Sequence, residues 1–178
     1  MSLAALQSTK KPWAHLLIVQ DGRALDLVQH MPANFAVKSV SGAKCKTKSG
    51  LLGEFARALS FPDYFGHNWD ALEECLADLE WLPARGYVIL VTEADQLLTK
   101  LDDEDDYETF IEILSEAGEA WSGKESGAVA GEGIPFHTVL AVSDKHKHKR
   151  KNWLVPPLVT DHAAGASKRS GSSGLKTR

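Results

Sequence analysis

The stretch that most constrains this chain is residues 59–81, where a loop built around a proline and a glycine runs directly into a two-faced helix. Pro62 fixes its own φ and disfavours helix at Phe61. Gly66 allows a turn that a residue with a Cβ would resist, and Asn68 is placed to cap the helix that follows over 68–80. Trp69, Leu72, Cys75, Leu76 and Leu79 then recur at helical spacing as an apolar stripe. Asp70, Glu73, Glu74 and Asp78 take the opposite face, and no Lys or Arg lies between Arg57 and Arg85. Such a helix must bury one side and keep a single-signed anionic side wet. The two aromatics before it, Tyr64 and Phe65, are expected to be exposed on the loop.

Around this segment the pattern alternates between strand and helix. Residues 35–41 alternate in polarity and predict a strand ending at Gly42. Residues 49–60 predict a helix, with Leu51, Leu52, Phe55, Ala56 and Leu59 on one face. Residues 87–91, Tyr-Val-Ile-Leu-Val, form a continuous apolar run of strand length, the pattern of a strand covered on both sides. Residues 107–121 predict a third helix, its buried stripe Phe110, Ile111, Leu114, Ala117 and Trp121, its wet face Glu108, Glu112, Glu116 and Glu119. Residues 136–142 predict the last strand. Strands separated by helices imply an α/β fold: a small three-stranded parallel sheet with packed helices and right-handed crossovers.

The remaining segments read as additions to that unit. Residues 1–12 have nothing to anchor them and are expected to be a flexible N-terminus. Residues 13–34 form an accessory segment: a short apolar run that ends at Asp21-Gly22, which would make an extra N-terminal strand, and then a short helix over 24–30, closed before Pro32. The main domain spans 35–142, with a flexible Gly-rich connection at 122–133. Residues 143–160 form a basic arm whose last part, 153–159 with Pro156-Pro157, could pack as an extended segment. Residues 161–178 are rich in Gly, Ser, Lys and Arg and poor in apolar side chains, so they are expected to be disordered.

Charge is distributed unevenly behind a net of −4. Residues 61–121 hold seventeen acidic residues against Arg85 and Lys100, and residues 143–178 hold nine basic residues against Asp144 and Asp161. No stretch has the length of a membrane span, and the N-terminus lacks the layout of a secretory signal. The two cysteines, Cys45 and Cys75, make no disulfide framework, and Cys75 falls on the apolar stripe as a buried thiol. A reducing cytoplasm is the expected location.

Three chemistries compete for this pattern. A charged helix stripe is most often a solvated face. This one carries only acids, although like charges at i+3 and i+4 repel by about 0.2–0.5 kcal/mol per pair. It also adjoins Tyr64, Phe65 and His67, a mix that suits an interface anchor. The second possibility is nucleotide binding at residues 42–49, Gly-Ala-Lys-Cys-Lys-Thr-Lys-Ser, a near miss to a phosphate loop in which Thr47 stands where the second glycine belongs. The third is an acidic scaffold for some other basic protein. His146 and His148 alternate with lysines and lack partners at zinc-ligand spacing, and His67 has no nucleophile beside it. No catalytic residue, metal or cofactor is expected, and nucleic acid would meet only the basic tail, weakly.

The run Phe61-Pro-Asp-Tyr-Phe-Gly-His-Asn-Trp-Asp-Ala-Leu-Glu-Glu-Cys-Leu76 resembles the central loop and second helix of the barstar family of intracellular ribonuclease inhibitors. The likeness extends more weakly over residues 35–142 and leaves out the N-terminal segment and the tail. It implies a barstar-like sheet and an inhibitor that blocks the cleft of a basic ribonuclease with an acidic loop-helix surface. Carried over residue by residue, Tyr64 would pack against the nuclease site, Asp70 would be the first helix carboxylate, and Glu74 would enter the phosphate-binding pocket. Gly66 and Asn68 would shape the loop, with Phe65 and His67 beside them, and Glu108 would be the third-helix contact. Two departures matter: Glu74 is one methylene longer than the family aspartate, and Glu73 stands where the family has a tryptophan. An acid in place of an indole implies a different partner or a changed fit.

Overall fold

A computed structural model describes residues 3–20, 24, 29–100, 105–124 and 133–158. Four strands, β1 (Ala14–Val19), β2 (Ala36–Ser41), β3 (Tyr87–Thr92) and β4 (Phe136–Ser143), form one parallel sheet in the order β1-β4-β3-β2. Helices α1 (Lys48–Leu59) and α2 (Trp69–Asp78) connect β2 to β3, and α3 (Asp106–Ser122) connects β3 to β4. The expected tandem-helix order is present. The sheet, however, has four strands and not three. The N-terminal run pairs with β4 residue by residue, from Ala14 beside Thr138 to Val19 beside Ser143. A parallel partner more than a hundred residues away in sequence leaves no local signal, which is why the run reads only as an accessory strand.

Burial follows from position in the sheet. The central strands β3 and β4 are buried along almost their whole length, while the edge strand β2 is mostly half-exposed. Tyr87, Ile89 and Val91 of β3 face a core filled by all three helices, including Phe55, Leu72, Leu76, Phe110 and Leu114. The alternate residues Val88 and Leu90 face a second, smaller core with Leu17, Val139 and Ala141. Leu3, Leu6 and Leu158 close that second core.

Leu3 and Leu6 correct the expectation of an unanchored N-terminus. Residues Ala4–Gln7 make a 3-10 turn with Leu6 fully buried. Ser8 is tied through its carbonyl to the His137 ring at 2.7 Å, and Lys11 meets Glu119 at 3.0 Å. Trp13 lies against Gly118, where a Cβ would sit 2.2 Å from Trp13 Cγ. Without a Cβ at position 118 the indole can seat on α3. At the other end of the described chain, the Leu16 N–H donates to the Pro156 carbonyl and the Leu158 N–H donates back to the Leu16 carbonyl, both at 2.8 Å. The basic segment before that contact is held to the body: Lys149 reaches buried Asp95 at 2.8 Å, Arg150 lies over the Tyr107 ring, and Tyr107 Oη donates to the Trp153 carbonyl. Most of the expected helix at 24–30, most of the Gly-rich connection and the whole 161–178 tail lie outside the described residues.

Candidate protein-binding site

The loop before α2 folds around its aromatics. The Phe61 N–H donates to the Ala56 carbonyl and the Phe65 N–H to the Pro62 carbonyl, closing a turn over 62–65. Adjacent residues on such a turn point to different sides. Tyr64 is 74% exposed, whereas Phe65 is only 6% exposed and packs edge-on against Phe61 at 4.9 Å between ring centroids. Phe65 is thus the anchor of the loop and not one of its exposed aromatics. Between Phe61 and Asn68 the left-handed residue is His67, with φ 51°, and not Gly66. At Gly66 a Cβ would come within 3.4 Å of Ala71 Cβ and Asn68 Nδ2, a close but tolerable approach. The His67 ring rests on Phe65 with centroids 4.7 Å apart.

Asn68 caps α2 as its sequence predicts, its Oδ1 accepting from the Ala71 N–H at 2.8 Å. The helix ends a little sooner than the 68–80 pattern suggests, because buried Leu79 adopts φ 49° and turns the chain away. Asp70, Glu73 and Glu74 are exposed, and no basic side chain among the described residues pairs with them. Between the loop and α2 lies an open recess of about 210 Å³, lined by Tyr64, Phe65, Gly66, Ala71, Glu74, Cys75 and Asp78. Burial, reinforced by Asp78 and Glu74, pushes the Cys75 thiol above its ordinary pKa, so it is a poor nucleophile.

Helix α2 is clamped by α3 at both ends. At its start Trp69 Nε1 donates to Asp106 Oδ1 at 3.1 Å. At its end Trp121 Nε1 donates to the Leu76 carbonyl at 2.7 Å, and Lys124 Nζ donates to the Ala77 carbonyl. These contacts fix which side of α3 faces α2. At about 100° per residue, Glu108 lies about 160° around α3 from Asp106, and Glu116 only about 80°. The opposite flank of α3 is marked by Gly118 against Trp13 and by Glu119 paired to Lys11. Glu108 is exposed in the first turn, as expected of a wet residue, but its phase turns it away from α2. Among the exposed glutamates of α3, Glu116 is the one nearest the α2 side.

Residues 42–49 are built as a helix start. Thr47 Oγ1 accepts from the Gly50 N–H at 3.1 Å and caps α1. The Cys45 and Lys46 carbonyls accept from the Leu98 and Lys100 N–H groups. Lys48, the lysine of the near-miss phosphate loop, lies 3.8 Å from Asp106 Oδ1. Burial, with Glu54 next, pushes the Cys45 thiol up to about 12. His146 sits 3.4 Å from Asp95. Sequence reasoning missed Asp106 as part of the site, because it stands in a run of five acids that reads as wet. The one available signal was Trp69 at the start of α2, an indole whose N–H requires a partner when the ring is covered.

Fold and site together describe a small parallel α/β protein with a clamped anionic helix and an aromatic-tipped loop at its surface. A family model described as barstar (barnase inhibitor) matches residues 35–141, more than half of the chain, and the chain belongs to the barstar family. That span takes in β2, all three helices, β3 and most of β4; the N-terminal strap, β1 and the C-terminal arm lie outside it. Members of the family are protein inhibitors of ribonuclease and not enzymes. No curated protein matches the chain.

Proposed function

We propose that this protein binds a basic ribonuclease and blocks its cleft with α2 and the loop before it, without chemistry of its own. The observation that carries the reading is that Asp70, Glu73 and Glu74 have no basic partner among the described residues, on a helix held at both ends, beside the exposed Tyr64 ring. Carboxylates on a rigid support imitate the phosphates of RNA, and the aromatic edge imitates a base. A cleft that holds phosphates with Lys and Arg would attract such a surface and be closed by it. Gly66, Asn68, Phe65 and His67 shape the loop, while Tyr64 and the three helix acids make contact. Glu116 replaces Glu108 as the exposed α3 glutamate set closest to the contact, and Glu108 adds only to the long-range field. Glu73, in place of the family's indole, selects a nuclease with a further cation opposite it. The partner is met in a reducing compartment, the cytoplasm, where Cys45 and Cys75 stay free.

The test is a fluorogenic RNA-cleavage assay with barnase and a panel of other basic ribonucleases, titrated with this protein. Stoichiometric inhibition of at least one, weakened by salt, is expected. If none is inhibited or bound at any salt concentration, α2 is a solvated face or serves a different basic protein.

A further inference from the structure

Asp106 is the first residue of α3 and stands in the most acidic run of the chain, yet it is only 3% exposed. Its Oδ1 accepts from Trp69 Nε1 and lies 3.8 Å from Lys48 Nζ. The same ammonium sits 4.9 Å from the centroid of the Trp69 ring. Lys48 opens α1, Trp69 opens α2 and Asp106 opens α3, so one carboxylate joins the first residues of all three helices. Asp106 does not spend this capacity on its own helix start: Oδ2 has no hydrogen-bond partner among the described residues. A buried carboxylate is costly to keep, and an apolar side chain would fill the position at lower cost if packing were its only purpose.

We propose that Asp106 is a positioning residue for the acidic face, fixing the rotation of the first turn of α2 through the Trp69 indole. Asp70 follows Trp69 directly, and Glu73 lies one turn on. A rotation of α2 by one rotamer change at Trp69 would swing these carboxylates away from the Tyr64 loop. The clamp at the other end, Trp121 and Lys124 on the Leu76 and Ala77 carbonyls, restrains where α2 lies but leaves its first turn free to fray. The indole-carboxylate bond supplies the missing restraint, and Lys48 balances the charge.

The functional half rests on α2 being the partner surface; the structural half does not, and the experiment separates them. Native-state hydrogen exchange is measured at Leu72, Glu73 and Glu74 of α2, with Ile89 and Leu90 of β3 as the internal reference. Asp106→Ala and Trp69→Phe should each speed exchange in α2 by roughly tenfold beyond any change in β3, because they release a local opening and not only global unfolding. Asp106→Asn, which keeps an acceptor for the indole, should restore protection. Equal changes in α2 and β3, or no rescue by Asn, would overturn the positioning role. With barnase as probe, Asp106→Ala should weaken binding while Asp106→Asn stays near wild type, at a temperature where all are folded. Equal losses would again count against the proposal. Where barnase does not bind the wild type, a panel ribonuclease that is inhibited takes its place as probe; if none of the panel binds, the inhibitor reading falls, and the exchange data still decide the role of Asp106.

Discussion

Lowering the pH should destabilise this protein in a window set by one histidine pair. His15 of β1 is 2% exposed and His137 of β4 is fully buried, with His15 Nε2 and His137 Nδ1 3.1 Å apart. The tautomers follow from the acceptor at the far end. The Ser8 carbonyl, 2.7 Å from His137 Nε2, can only accept, so His137 Nε2 carries the hydrogen. His137 Nδ1 is then bare and accepts from His15 Nε2–H, and both rings are neutral. Burial, with His137 next, lowers the His15 pKa from 6.5 to about 4. Burial also lowers that of His137, against the opposing pull of the Ser8 and Pro12 carbonyls. Below pH 6.5 the unfolded chain therefore binds protons that the folded chain refuses. Stability is complete above that pH and is lost as pH falls towards 4. At about 1.4 kcal/mol per pH unit, His15 accounts for a loss of roughly 2 kcal/mol by pH 5 and roughly 3 kcal/mol by pH 4.

A second group separates cleanly from this one. Glu54 is held at about 2 chiefly by its hydrogen bond to Arg57, so its contribution is lost only as pH falls from 4.5 towards 2. The assay is urea unfolding followed by tryptophan fluorescence between pH 7.5 and 5. Wild type is compared with a His15→Gln, His137→Gln double variant, whose amides can still donate from the Nε2 positions. The wild type should lose roughly 2 kcal/mol over that range and the double variant much less, with single His15→Gln in between. Parallel curves for wild type and double variant would refute the neutral-pair assignment.

Three further outcomes are expected. Replacing Asp70 or Glu74 with Ala should weaken binding to an inhibited ribonuclease by about 30-fold, roughly 2 kcal/mol, while thermal melts stay level or rise slightly as like-charge repulsion is relieved. That magnitude was itself established partly on barnase and barstar, so only the pattern across variants is informative. Unchanged affinity for both would place the interface elsewhere. Glu116→Ala should slow association more than Glu108→Ala in stopped-flow measurements at low salt, and the reverse order would contradict the phase assigned to α3. Leu6→Ala should cost about 2–5 kcal/mol in urea unfolding, since it opens a cavity in the second core; a negligible loss would mean that the strap contributes little.

Local pattern was enough for the strands 87–91 and 136–142, the tandem helices and the Asn68 cap. Each rests on periodicity or on a hydrogen bond that spans three residues. The anionic face of α2 was equally legible, because a helix period and a missing cation are properties of consecutive residues. The resemblance to the family was carried by one continuous run for the same reason. Tertiary structure alone decided the rest. It brought β1 beside β4 across more than a hundred residues, and so turned an apparently loose N-terminus into the cover of a second core. It sent Tyr64 outward and Phe65 inward, a choice that depends on Phe61 being there to receive the ring. Helical phase relative to a neighbour, which no single helix encodes, turned Glu108 away from α2. And Asp106, one acid among five in sequence, became a buried junction only because Trp69 and Lys48 meet it in space.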